Sequence, residues 1–93
     1  MKIDLSNTIK ELDGSVTPLV MGISLSTVLA SVQDDKPAFW MGKAIELYKT
    51  KTLVCTIEEL AMIRKELNNA NLPAIIKFQI TDAIDTSIAD EKA

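Results

Sequence analysis

The feature that most constrains this sequence is a capping box followed by two helical patterns with a short connection between them. In residues 56–59 (TIEE), the Thr56 hydroxyl can accept from the Glu59 amide while the Glu59 carboxylate accepts from the Thr56 amide. The helix that starts there should end near Ala70, where asparagines that tolerate the left-handed conformation supply a stop. A further helix is predicted from Pro73 to about Ala89. Because about three residues join the two helices, they should form an antiparallel αα-hairpin.

Both helices carry apolar residues at helical spacing. Intervals of mostly three and four residues place these side chains on one face of each helix, which indicates a shared core. The inward positions are Leu60, Ile63, Leu67 and Ala70 in the first helix, and Ile76, Ile80, Ala83, Ile84 and Ile88 in the second. The last residues, 90–93, are expected to fray.

A further helix is predicted upstream, with Ser24 as its N-cap and Val32 near its end. Its stripe is regular, because Leu25, Val28, Leu29 and Val32 follow the i, i+3, i+4, i+7 pattern of an amphipathic helix. The boundary after it is the sequence DDKP at residues 34–37, where either aspartate can cap the next helix and Pro37 suits a first turn.

The helix predicted from about Lys36 to Lys49 has apolar residues over more than one face. They are Phe39, Trp40, Met41, Ala44, Ile45, Leu47 and Tyr48. A helix with this distribution should either be the central one or contact a partner. Gly42 lies inside the helix, where it costs about 1 kcal/mol relative to Ala, and we expect close approach of another helix, from this chain or from another molecule, to explain it.

The N-terminal residues differ from this helical body. Asp13-Gly14 is a strong turn dipeptide, and residues 16–20 have the β-branched bias of a short strand, although Pro18 lacks an amide donor. A connecting strand at residues 50–55 could pair with this region. The predicted fold class is therefore mainly α: one domain over residues 1–93, with a small N-terminal β-hairpin or extended arm (1–22), a body of about four helices (24–90) and a C-terminal αα-hairpin.

Composition excludes several function classes. The chain has 93 residues, a net charge of −3, no histidine and one cysteine. A net acidic domain is unsuited to non-specific nucleic-acid binding, which depends on Lys and Arg at phosphates. One cysteine cannot form an intramolecular disulfide, and Cys55 in an apolar run is expected to behave as a small hydrophobe. With no targeting segment and no apolar run of membrane-spanning length, a cytoplasmic protein is the simplest prediction.

No catalytic or cofactor motif is recognisable. A Ser-based triad lacks its histidine, the three glycines are isolated so that no phosphate loop can form, and no calcium-loop or other metal-ligand pattern is present. The acidic pairs Glu58/Glu59 and Asp82/Asp85 are accounted for by a helix start and a solvated face. We therefore predict no enzyme activity, no cofactor and no metal.

Apolar surface remains as the functional signal. Trp, Phe and Met are enriched at interface cores, so the predicted partner-binding residues are Phe39, Trp40, Met41 and Tyr48, with burial of the first three in the protein's own core as the alternative. Lys43, Lys49 and Lys51 could contact an anion, or could simply be a solvated helix end. The predicted partner is another protein, a second copy of this chain, or both.

Four segments carry a resemblance to a known group. Leu12-Asp13-Gly14 and the segments at residues 25–30 (LSTVLA), 44–49 (AIELYK) and 72–80 (LPAIIKFQI) resemble small uncharacterised proteins encoded by tailed bacteriophages and prophages. The resemblance spans about residues 10 to 85 and includes no functional residue. It implies a non-enzymatic protein of the host cytoplasm, acting in virion assembly or by interfering with a host factor. The sequence thus predicts a self-associating binding module, with an inhibitor or small-ligand sponge as the alternative.

Overall fold

Four helices and two small antiparallel sheets make up the fold. The computed structural model describes the backbone of residues 1–92 and the side chains of residues 1–89. The elements in chain order are β1 (Lys2–Asp4), β2 (Thr8–Lys10), β3 (Val16–Val20), α1 (Met21–Ala30), α2 (Pro37–Thr50), β4 (Thr52–Val54), α3 (Ile57–Asn69) and α4 (Ala74–Lys92). The fold is therefore largely α with a genuine β component. Of residues 90–93, where fraying was predicted, the backbone of 90–92 belongs to α4 and residue 93 lies outside the described residues.

The β component is two separate ribbons. β2 and β3 form the predicted hairpin, and Gly14 adopts a positive φ of 88° in its turn. The strand predicted at residues 50–55 exists as β4, but its partner is β1, with Ile3 opposite Leu53. Both of those side chains are fully buried, which fixes the register because a one-residue shift would expose them.

The capping box and the αα-hairpin are confirmed. The Glu59 amide donates to Thr56 Oγ1 at 3.1 Å, and the Thr56 amide donates to Glu59 Oε1 at 2.9 Å. Arg64 pairs with Asp85, and one turn later in α3 the Asn68 carbonyl accepts from Lys77 Nζ. From the first contact to the second, the residue in α3 moves toward the C-terminus while the residue in α4 moves toward the N-terminus. The two helices are therefore antiparallel.

One hydrophobic core joins all four helices and both ribbons. The predicted stripes supply it: Leu25 and Leu29 from α1, the three leucine and isoleucine positions of α3, and Ile80 and Ile84 from α4 are buried. Cys55 is buried among them, as predicted for a small hydrophobe. Burial of these residues is the main stabilising contribution to the fold.

The first helix begins three residues before the predicted N-cap. Ser24 lies inside α1, and Val20 is the cap residue without any side-chain cap. The free amides at this end are satisfied by backbone instead: Met21 donates to the Asn7 carbonyl at 3.0 Å and Gly22 to the Leu5 carbonyl at 2.8 Å. A tertiary contact thus replaces the local cap that the sequence pattern favoured.

Two further local predictions were wrong. Neither aspartate caps α2, because Lys36 is the cap residue and Asp34 Oδ1 accepts from the Lys36 amide. The end of α3 is not left-handed, because its cap residue Ala70 is extended, whereas Lys51 at the end of α2 has a φ of 59°. At Gly42, no helix of this chain makes the expected close approach, because a Cβ built there would have no neighbour within 4 Å, and the alternative of a helix from another molecule stays a prediction.

Candidate protein-binding surface

Helix α2 has one face in the core. Trp40, Ala44 and Leu47 are buried, and they recur at spacings of four and three residues, which defines the inner face of the helix. This face packs against α1 and β4. The prediction that α2 is the central helix is wrong, because α1 is the helix that contacts the other three.

A second apolar face of α2 lies outside the core. We define the outer face as six exposed residues that follow the i, i+3, i+4, i+7 pattern of one helix face: Ala38, Met41, Gly42, Ile45, Tyr48 and Lys49. Met41 is 44% exposed, Ile45 48% and Tyr48 57%. Three large apolar or aromatic side chains side by side on one helix form a continuous patch rather than scattered exposure.

The patch continues onto the neighbouring helix. A shallow cavity of about 250 Å³ lies between the outer face and α1. Its lining residues from α1 are Ser26, Thr27 and Ala30, and those from α2 include Met41, Ile45, Tyr48 and Lys49. The outer face therefore offers both protruding side chains and a recess, the combination by which an interface gains shape complementarity.

The prediction that Trp40 contacts a partner is wrong. Its side chain is only 2% exposed, and its indole Nε1 donates to Asp34 Oδ2 at 2.7 Å. Phe39 is half-buried, with its ring edge-on to the indole at a centroid distance of 5.0 Å. The indole of Trp40 therefore anchors the α1–α2 loop to the core. The hydrogen bond from Trp40, and then that from the Lys36 amide, lower the pKa of Asp34.

The structure does not bring the three predicted anion-contact lysines together. Lys43 Nζ lies 3.4 Å from Glu59 Oε1 and donates to the Val54 carbonyl at 2.7 Å, so it links α2 to the start of α3. Lys51 Nζ donates back to the Tyr48 carbonyl. Of the three, Lys49 alone borders the cavity beside the outer face.

A larger groove was missed by the sequence analysis. It encloses about 590 Å³ between α1 and the α3–α4 connection. Its apolar lining residues are Leu19, Val28, Val32, Ala70, Leu72 and Ile76. Val28 and Val32 were predicted as core positions, and their periodicity is correct. What the sequence could not show is that the irregular α3–α4 connection leaves them half-covered.

Within the part of the chain that the structure describes, no three His, Cys, Asp or Glu side chains cluster as metal ligands would. Among the described helices, none is both long and apolar enough to cross a membrane.

The chain matches no protein-family model, no curated protein and no solved structure.

Proposed function

We propose that this protein is a non-enzymatic binding module that associates with itself through the outer face of α2. The observation that supports this proposal is the exposure of Met41, Ile45 and Tyr48 on a helix whose opposite face already fills the core. In water, covering such a patch is favourable by about 25 cal/mol for each Å² of apolar surface removed from solvent. We place the protein, with the phage-related group that it resembles, in the host cytoplasm as an assembly or accessory factor.

The expected affinity is modest. Helix α2 is about 21 Å long, so an interface built mainly on it is smaller than the roughly 800 Å² per partner of a stable complex. We therefore expect a dissociation constant on the order of micromolar. Buried Trp40 cannot report this contact by solvent quenching, and oligomeric state must be measured directly.

The test compares two lysine substitutions at exposed apolar positions. Sedimentation equilibrium of the wild-type chain across micromolar and higher concentrations should show a reversible dimer, which Ile45→Lys should abolish. Phe78→Lys is the matched control, because Phe78 is 70% exposed but lies on α4. A wild-type chain that stays monomeric throughout, or a Phe78→Lys variant that dissociates as fully as Ile45→Lys, would overturn the proposal.

A second candidate function is an inhibitor or small-ligand sponge acting on a host factor. It is favoured by one observation, that Tyr48 and Lys49 both line the cavity beside the outer face and could contact an aromatic, anionic ligand. A thermal-shift panel of nucleotides and cyclic dinucleotides tests it. A shift that Lys49→Ala removes would support this function, and no shift with any member of the panel would eliminate it.

A further inference from the structure

Two unpaired charges of opposite sign lie at the two ends of α2. Asp35 precedes the helix by two residues, and Lys49 lies in its last turn. Both are exposed, and no described residue supplies either side chain with a hydrogen bond or an ion pair. Lys43 on the same helix is different, because it is already paired with Glu59.

Gly42 lies midway between these charges, seven residues from each. It is exposed, and the structure provides no intramolecular reason for its presence, since nothing lies within 4 Å of the Cβ it lacks. A glycine here costs helix stability, about 1 kcal/mol relative to Ala. The absence of a side chain does, however, leave room for the backbone of a second helix to approach closely.

From these observations we infer that the second copy binds with its α2 antiparallel to the first, about a two-fold axis that passes near Gly42. This inference rests on the self-association proposed above. In a two-fold arrangement centred on residue 42, each position meets the partner position equally far on the other side. Lys49 then lies near the partner subunit's Asp35, just before the partner's helix, and Ile45 meets the partner subunit's Phe39.

Charge decides the orientation of the two helices. The antiparallel pairing creates two Asp35–Lys49 attractions per dimer and also sets the helix dipoles in opposition, which is favourable. A parallel pairing would place Lys49 against the partner subunit's Lys49 and Asp35 against the partner subunit's Asp35. The like charges would then repel at both ends.

The experiment uses a charge exchange between two variants of the full chain. Lys49→Glu alone and Asp35→Lys alone should each weaken dimerisation about tenfold, because each reversal creates two repulsive pairs. An equimolar mixture of the two variants should recover an affinity within about threefold of wild type, because both pairs in the mixed dimer are attractive again. Lys65→Glu on α3 controls for the change in net charge and should leave dimerisation unchanged.

The outcomes separate this inference from the proposed function. If wild type dimerises and Ile45→Lys is monomeric, but the mixture of charge variants gives no recovery, the outer face is the interface and the antiparallel pairing is overturned. Equal weakening by Lys65→Glu also overturns the pairing. A monomeric wild type overturns both. Recovery in the mixture, lost when the salt concentration is raised, supports the inference.

Discussion

The Gly22 amide donates a hydrogen bond to the Leu5 carbonyl at 2.8 Å, and the Leu5 amide donates to the Lys51 carbonyl at the same distance. Leu5 therefore connects the start of α1 to the end of α2 through main-chain atoms alone. A Cβ on Gly22 would lie 3.1 Å from the Leu5 oxygen and 3.3 Å from Lys51 Cα. This close approach of three backbones explains a glycine in the first turn of a helix.

Gly22→Ala should therefore lower the free energy of unfolding by about 1–3 kcal/mol, because the backbones of Leu5 and Lys51 must both move to admit the methyl group. Gly42→Ala is the matched control, and it should raise the free energy of unfolding by about 1 kcal/mol. Urea unfolding at concentrations below self-association measures both. Equal changes at the two sites would contradict the contact.

Lys51 has a left-handed backbone, which costs an ordinary residue about 1–2 kcal/mol but glycine almost nothing. Lys51→Gly should be neutral or up to about 1 kcal/mol stabilising, after allowance for the greater freedom of glycine in the unfolded chain. At Lys65, in the exposed middle of α3, the same substitution should cost about 1 kcal/mol. Thermal unfolding of the two variants checks the difference, and a loss at Lys51 as large as at Lys65 would contradict it.

The capping box should make stability depend on acid pH. The Thr56 amide, and to a lesser extent the Lys43 ammonium, lower the pKa of Glu59 below its ordinary 4.5. The folded protein then binds this proton less readily than the unfolded chain, so the stabilisation is present above pH 4.5 and is lost as pH falls through the folded-state pKa.

Glu59→Gln should consequently reduce the free energy of unfolding at neutral pH and have a diminishing effect as the solution is acidified. Glu58→Gln is the control, because Glu58 occupies the same first turn without taking part in the capping box. Urea unfolding over an acid pH series gives the comparison. If the difference in the free energy of unfolding between Glu59→Gln and wild type stays constant with pH, the charge of the Glu59 carboxylate does not contribute to stability.

The side-chain amide of Gln79 forms two hydrogen bonds with the backbone of Lys10, as a neighbouring strand would. Its Oε1 accepts from the Lys10 amide at 2.8 Å, and its Nε2 donates to the Lys10 carbonyl at 2.7 Å. Gln79→Ala should speed hydrogen exchange at the Lys10 amide and lower stability by about 1–2 kcal/mol for two neutral hydrogen bonds. Gln33→Ala, in the exposed α1–α2 loop, should change neither. Unchanged exchange at Lys10 would show that the strand edge is protected by other means.

Local sequence determined the elements whose stabilising partners lie close in the chain. The capping box at Thr56 places its donor and acceptor three residues apart, and the stripes of α3 and α4 need only helical periodicity, so both could be predicted. The turn at Asp13-Gly14 could also be predicted from local sequence, because the tolerance of glycine for a positive φ does not depend on distant partners.

Tertiary structure decided what depended on distant partners. The start of α1 moved because carbonyls of Leu5 and Asn7 replaced a side-chain cap, and β4 paired with β1 because both strands bury one residue in the same core. For α2, composition showed that too many apolar residues were present for one face. Only packing could select Trp40 for the core and leave Met41, Ile45 and Tyr48 exposed, because neighbouring positions on a helix point about 100° apart and one core can cover only some of them.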